Sequence, residues 1–157
     1  MRSEKDKMLA GELYDASDPE LAAERRATRL LLHRLNQSRD DQTELRERTL
    51  RELFGLGPED AVPWIEPPFY CDYGRNIRLG EKVFLNFNCV ILDVCPVVIG
   101  TNVLFGPAVQ VYAATHPLSS RQRATWREAG KPVTIGDDVW IGGGAVLLPG
   151  VTVGHRC

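Results

Sequence analysis

The stretch that decides the fold is Ile135-Gly136-Asp137-Asp138-Val139-Trp140-Ile141-Gly142-Gly143-Gly144-Ala145-Val146-Leu147-Leu148-Pro149-Gly150-Val151-Thr152-Val153-Gly154. A small aliphatic residue returns at every sixth position, at Ile135, Ile141, Leu147 and Val153. That period fits neither a helix nor a simple strand. It is the repeat of a parallel β-helix, in which each hexapeptide makes one short flat face and three of them, about 18 residues, complete a coil. One face cannot bury its apolar side chain alone, so stacked coils build the core together.

Upstream, the same beat runs through Leu79, Leu85 and Ile91, then Ile99, Phe105 and Val111, with Gly80, Gly100 and Gly106 following their aliphatic residues. Two interruptions stand out. Extra residues between Ile91 and Ile99 predict a small bulge at Cys95-Pro96. Between Val111 and Ile135 the pattern lapses, and the polar run from His116 to Pro132, with Pro117, Ser119, Ser120, Arg121 and Gly130, reads as a loop thrown out of the solenoid. Loops of that length in compact domains are usually functional or disordered, and His116 places a titratable group at the root of this one.

Residues 3–55 read as helical. Ser17-Asp18-Pro19-Glu20 has the form of a capping box with proline in the first turn. Leu21, Thr28, Leu31, Leu32 and Leu35 form a loose apolar stripe, with Arg25, Arg26 and Arg29 mostly off it. A second helix is expected from near Asp41 to Phe54, stopping at Gly55. The expected division is a helical cap over 1–56, a Pro-rich linker and lead-in strand over 57–78, and the β-helix over 79–157, interrupted by a loop over 115–132. A cap answers a physical need, because an open solenoid end exposes apolar surface and unpaired strand edges; one that overhangs a cleft also lines it.

The 157 residues suffice for one domain with a small appendage. A net charge of −2 without a basic stripe argues against nucleic acid as a partner. Met1 to Lys7 is charged with no apolar run behind it, unlike a secretory signal, and no stretch is long enough to span a membrane. Cys71, Cys89, Cys95 and Cys157 lack CxxC spacing, so reduced thiols in the cytoplasm are expected.

Several runs carry a family resemblance: Glu4-Lys5-Asp6-Lys7-Met8-Leu9-Ala10-Gly11-Glu12-Leu13-Tyr14, Pro67-Pro68-Phe69-Tyr70-Cys71-Asp72-Tyr73-Gly74, Asn86-Phe87-Asn88, Leu92-Asp93-Val94-Cys95-Pro96, Ala114-Thr115-His116-Pro117 and Gly130-Lys131-Pro132-Val133-Thr134-Ile135-Gly136. With these the chain resembles the maltose and galactoside acetyltransferases, the sugar O-acetyltransferase branch of the hexapeptide-repeat acyltransferases. The resemblance implies a mainly β fold: a left-handed parallel β-helix with an N-terminal α-helical cap, an exception to the right-handed crossover rule. It further implies acetyl-CoA as co-substrate, no metal, a maltose- or glucose-type acceptor, and a homotrimer with active sites between subunits.

Acetyl transfer to a sugar hydroxyl needs a base for the hydroxyl proton and a donor for the oxyanion. Histidine suits the first near neutral pH, and His116 matches the family's catalytic histidine. Asn86 matches the asparagine that stabilises the transition state and touches both substrates. Asp72 matches an acceptor-binding position, Arg25 a sugar-contacting arginine of the leader, and Asp93 lies one residue before a sugar-contacting acid of the galactoside enzymes. That position is Val94 here, and Phe84 stands in place of a tyrosine, which weakens the case for galactosides. The Gly143 N–H matches a CoA contact, and Trp140 walls the cleft beside it. Glu128 is a candidate to orient the imidazole.

The family continues beyond the position of Cys157, so the resemblance implies that the C-terminal coils, with most CoA contacts, lie past these residues. Two rival readings share the fold. One is a non-catalytic hexapeptide trimer, an impaired enzyme or a scaffold. The other is a zinc carbonic anhydrase, which needs three protein ligands on the metal; the only other histidines here are His33 and His155.

Overall fold

In the computed structural model, which describes residues 2–157, the chain enters through a cap of three helices and one short strand: α1 (Glu4–Leu9), β1 (Tyr14–Asp15), α2 (Pro19–Asn36) and α3 (Thr43–Phe54). The capping box falls on α1, where the Ser3 hydroxyl accepts from the Asp6 amide and the Asp6 carboxylate accepts from that of Ser3. It was expected at Ser17, but that hydroxyl donates to the Asp15 carboxylate at 2.6 Å, and Asp18 caps α2 with Pro19 in its first turn. Leu21, Thr28, Leu32 and Leu35 form the buried stripe of α2, and α3 ends at Gly55 in the left-handed conformation, φ 71°.

The hexapeptides then build a three-sided solenoid, a left-handed parallel β-helix. Its first coil is β2 (Trp64–Ile65), β3 (Phe69–Cys71) and β4 (Ile77–Leu79), and its second is β5 (Phe84–Leu85), β6 (Cys89–Leu92) and β7 (Val97–Ile99). The third starts with β8 (Leu104–Phe105) and β9 (Gln110–Tyr112), leaves the solenoid through β10 (Ala114–Thr115), α4 (Ser120–Arg123) and β11 (Arg127–Gly130), and returns as β12 (Val133–Ile135). The fourth is β13 (Trp140–Ile141), β14 (Val146–Leu147) and β15 (Thr152–Val153). Face A stacks β4, β7, β12 and β15; face B stacks β2, β5, β8 and β13; face C stacks β3, β6, β9 and β14. Parallel pairing thus begins at Trp64, inside the segment expected as linker and lead-in strand.

The six-residue beat becomes three inward columns. Ile65, Leu85, Phe105 and Ile141 stack on face B; Cys71, Ile91, Val111 and Leu147 on face C; Leu79, Ile99, Ile135 and Val153 on face A. Most are buried, and each fully buried aliphatic side chain contributes about 1.5–3 kcal/mol. No single coil obtains that burial without its neighbours.

The corners differ. A-to-B and B-to-C corners are tight. Every A-to-B corner turns through one left-handed residue, Lys82, Asn102, Asp138 or Arg156; the B-to-C corners of the second to fourth coils do the same at Asn88, Ala108 and Gly144, and that of the first coil turns through the cis Pro67-Pro68 bond. The C-to-A corner absorbs every insertion. Cys71 to Leu79 and Ile91 to Ile99 are each eight positions apart, Val111 to Ile135 is twenty-four, and only Leu147 to Val153 keeps six. The bulge expected near Cys95 therefore has a twin at Asp72-Tyr73-Gly74.

The cap packs on this irregular corner. Thr28 Oγ1 donates to the Tyr73 carbonyl at 3.0 Å, and Cys95 Sγ donates to that of Met8 at 3.1 Å. Asn36, at the end of α2, satisfies both backbone groups of Phe69 at 2.9 Å each, closing part of an otherwise open strand edge. The excursion between Val111 and Val133 is also more ordered than a thrown-out loop. β11 pairs antiparallel with β10, Thr115 opposite Ala129, and with β1, Tyr14 opposite Glu128. The leader and the His116 excursion thus form one three-stranded sheet.

Candidate active site

His116 leaves the end of β10 exposed, at the mouth of a depression of about 450 Å³ shared with Ser120, Arg123, Ala124 and Trp126. Its position is fixed locally. The β10–β11 pairing holds the root, and Arg123 Nη1 donates to the carbonyls of Pro117 and Leu118 at 3.0 and 3.1 Å, closing the tip. Among the described residues the imidazole has no protein hydrogen-bond partner, so both ring nitrogens remain available. Glu128 makes no hydrogen bond to it; its Oε2 accepts the Tyr14 hydroxyl at 2.9 Å. Burial, then the Glu128 charge, pushes the Tyr14 phenol well up.

Asp72 and Arg25 stand on the same C-to-A corner. Asp72 is half-buried, and desolvation raises its carboxyl above the usual range; the Arg25 charge opposes that shift and the Glu128 charge adds to it. Arg25 is no freely solvated helix residue. One guanidinium nitrogen donates to the Tyr73 hydroxyl at 2.7 Å, another to the Ala16 carbonyl, and the group lies 5.8 Å from the Tyr73 ring centre.

Asp93 departs from expectation. It is fully buried, and its Oδ1 accepts from the amides of Asp72 and Tyr73 at 3.0 and 2.9 Å. Among the described residues its Oδ2 has no partner, and desolvation raises its pKa to about 6. With no exposed surface, Asp93 shapes the corner that carries Asp72 rather than touching an acceptor.

Asn86, Gly143 and Trp140 lie on another part of the solenoid, along face B and the B-to-C corner. Asn86 Oδ1 accepts the Phe87 amide at 2.8 Å, which leaves Nδ2 without a partner among the described residues. Pro67, Phe87, Pro107 and Gly143 occupy equivalent corner positions on successive coils. The prolines have no N–H and that of Phe87 is taken by Asn86, so Gly143 alone presents an uncommitted N–H in this column. Trp140 stands beside it, 71 % exposed.

One chain therefore gathers Asp72, Arg25 and Glu128 at the C-to-A corner, roots His116 in the excursion that leaves this corner, and sets Asn86, Gly143 and Trp140 along another side. Sequence reasoning missed Tyr14 and Tyr73, which hold Glu128 and Arg25; both sit inside the quoted motif runs, but only the folded leader shows what they touch. Among the described residues no group of three His, Cys, Asp or Glu side chains is placed to hold a metal, and the His155 imidazole accepts the Asp137 amide at 2.8 Å. Among the described residues no helix is long and apolar enough to cross a membrane.

A left-handed β-helix with a histidine at the root of its one long excursion and an unpaired backbone N–H on a neighbouring corner defines a hexapeptide-repeat acyltransferase. The maltose acetyltransferase hexapeptide capping motif matches residues 7–56, and the bacterial transferase hexapeptide repeat matches 132–157. Nodulation protein L of Rhizobium leguminosarum bv. viciae is 52 % identical over 151 residues, 96 % of this chain and 78 % of that one. The crystal structure of a maltose O-acetyltransferase from Clostridium difficile 630 superposes with a TM-score of 0.92 at 45 % identity, covering 98 % of this chain and 81 % of the other. A hexapeptide-repeat acetyltransferase from Vibrio cholerae O1 biovar eltor, solved with acetyl-coenzyme A, gives 0.84 at 45 % identity over 99 % and 82 %. The chain belongs to the maltose and galactoside type of hexapeptide-repeat O-acetyltransferases, enzymes of the acyltransferase class.

Proposed function

We propose that the chain transfers the acetyl group of acetyl-CoA to a hydroxyl of a maltose- or glucose-type sugar, directly, in a ternary complex. The observation that carries this reading is the set of uncommitted groups: the His116 imidazole, the Asn86 amide and the Gly143 N–H. His116 removes the hydroxyl proton as the oxygen attacks the thioester carbonyl, then returns it to the departing thiolate as the tetrahedral intermediate collapses. A positioned base contributes roughly a hundredfold to ten-thousandfold. Asn86 Nδ2 donates to the oxyanion, worth about 2.7–4 kcal/mol. Gly143 and Trp140 hold the thioester arm; Asp72 and Arg25 bind acceptor hydroxyls.

The two groups of residues lie on different sides of one chain, so the complete site forms between subunits of a homotrimer, the His116 corner of one against face B of the next. A cyclic assembly repeats that contact three times. Cys71, Cys89 and Cys95 are buried and unpaired, which suits a reducing cytoplasm.

The test is thiol release from acetyl-CoA with glucose, maltose and a galactoside as acceptors, beside a version carrying one further family-type coil. His116→Ala is expected to lower kcat by about 10²–10⁴-fold with the assembly mass unchanged. A variant that keeps most of its rate would overturn the mechanism, and silence with and without the added coil would favour the scaffold reading.

A further inference from the structure

Face B carries an outward row that extends past Asn86, away from Gly143. Trp64, Phe84, Leu104 and Trp140 stand in register on four successive coils. Trp64 is 68 % exposed, Leu104 46 % and Trp140 71 %. Phe84, between Trp64 and Leu104, is half-buried, and an outward apolar strip of this kind marks a binding surface. Asn86 lies on the second coil, with Trp140 and Gly143 two coils to one side and Trp64 one coil to the other. Rungs of a sheet are about 4.8 Å apart, so the row spans about 14 Å. With the thioester arm on the Trp140 side, the acceptor has the Trp64 side left to run along.

That end is built to receive something. The Trp64 Nε1–H donates to Glu66 Oε1 at 2.7 Å, which fixes the indole and offers its ring face. Glu66 holds the corner position equivalent to Asn86, one coil over. Beyond Trp64 the surface opens into a depression of about 510 Å³, floored by Leu50, Val62 and Pro63 and edged by Arg46, Glu47 and Glu66. An apolar floor with a few convergent polar groups is the make-up of a small-molecule site. An aromatic ring face beside carboxylates and a guanidinium suits the C–H face and the hydroxyl rim of a sugar ring.

We infer that face B holds a distal sugar subsite at Trp64 and that the acceptor is a linear neutral oligosaccharide. Its reacting end sits at Asn86, and its following rings pass over Phe84 onto Trp64. The inference rests on the acceptor reading above. It is tested by calorimetric titration of glucose, maltotetraose and cellotetraose into the full chain, without acetyl-CoA, and into Trp64→Ala and Trp64→Phe. One tetrasaccharide is expected to bind about tenfold tighter than glucose, the equivalent of about 1.4 kcal/mol. Trp64→Ala removes that preference and Trp64→Phe keeps most of it, while glucose binding stays unchanged. Equal affinity for glucose and both tetrasaccharides, an unchanged tetrasaccharide Kd in Trp64→Ala, or a Trp64→Ala chain whose assembly mass falls, as when Trp64 packs against a second copy, would each overturn the subsite. A chain that prefers the tetrasaccharide yet releases no thiol with any acceptor sinks the acetyl-transfer reading alone. One that acetylates glucose and tetrasaccharides with equal kcat/KM sinks the subsite alone.

Discussion

The A-to-B corners of the solenoid and its C-to-A corner solve the same geometric problem with opposite means. The A-to-B corner repeats itself, with Gly80, Gly100, Gly136 and Gly154 in one column and, two positions on, Lys82, Asn102, Asp138 and Arg156 in another, all of these last left-handed. Its hydrogen bonds run from coil to coil, from the Thr101 backbone N–H to the Asp137 carboxylate at 2.8 Å and from Asn102 Nδ2 to the Asp138 carboxylate at 2.8 Å. The C-to-A corner changes length along the solenoid, from eight positions in the first two coils to twenty-four and then six. It holds two short insertions and the His116 excursion, and its polar groups bond to the cap as well as between coils: Tyr73 to Arg25 and Thr28, Glu128 to Tyr14, and the Asp72 and Tyr73 amides to Asp93. A regular corner propagates the coil; an irregular one gathers side chains from distant parts of the sequence, which is what an active site needs.

The largest effect expected to separate the two corners is electrostatic. Asp93 is buried at the C-to-A corner with an unpartnered oxygen, and its pKa rises from 3.8 to about 6. A raised native pKa means that the folded state holds the proton longer than the unfolded state. Stability from this group is therefore present below about pH 4 and is lost as pH climbs through about 6. The loss approaches about 3 kcal/mol by linkage. In Asp93→Asn that slope vanishes, while the fixed cost of a buried amide is the same at every pH. Urea unfolding at pH 4.5, 5.5 and 7.5 is expected to show the variant gaining on the parent protein as pH rises; a constant difference would mean that Asp93 does not carry the strain assigned to it.

A regular corner is expected to respond to shape. A Cβ on Gly100 would stand 2.7 Å from both the carbonyl carbon and oxygen of Gly136 on the next coil. Backbone cannot rotate out of the way, so Gly100→Ala overpacks the stack and costs about 1–3 kcal/mol. Calorimetry should show Tm lower by several degrees, at about 2–4 °C per kcal/mol for a chain of this size. Turnover per folded molecule should hold. A loss of turnover with Tm intact would make this corner part of the site and dissolve the contrast.

The same contrast explains what the sequence revealed. The inward columns from Leu79 to Val153 were legible because periodicity reports a repeated environment. The first coil was less so: its beat rests on Ile65 and Cys71 amid Pro63, Pro67 and Pro68, a composition that reads as linker. His116 stood out because it interrupts a period, and Asn86 through the family motif around it. The burial of Asp93 and the clamp on Glu128 were hidden, because each depends on a partner no period announces. Asp93 is held by the backbone of a corner twenty positions earlier, and β11 finds β1 across more than a hundred residues. Arg127-Glu128-Ala129-Gly130 has no apolar alternation to mark it as a strand; pairing on both sides makes it one.

The smallest predicted effect probes that long-range clamp. The Tyr14 hydroxyl donates to Glu128 Oε2 while the two residues face each other in the antiparallel β1–β11 pair. Tyr14→Phe keeps the ring, which is 1 % exposed, and so keeps the packing; only the hydrogen bond goes. A half-buried carboxylate that loses one donor costs about 1 kcal/mol in stability, and the effect should be local. Amide exchange is expected to quicken at residues 127–130 and at Thr115, the root of His116, and to stay unchanged at Ile91 and Val111 on the solenoid's inner column. With its root loosened, His116 samples more positions and kcat falls by less than the loss in His116→Ala, while KM for acetyl-CoA holds because Gly143 and Trp140 lie on another side of the chain. If exchange quickened equally at Ile91 and Val111, Tyr14 would be a core residue of the whole solenoid and not a clamp on the excursion; if it quickened nowhere, β-pairing alone would hold the histidine in place.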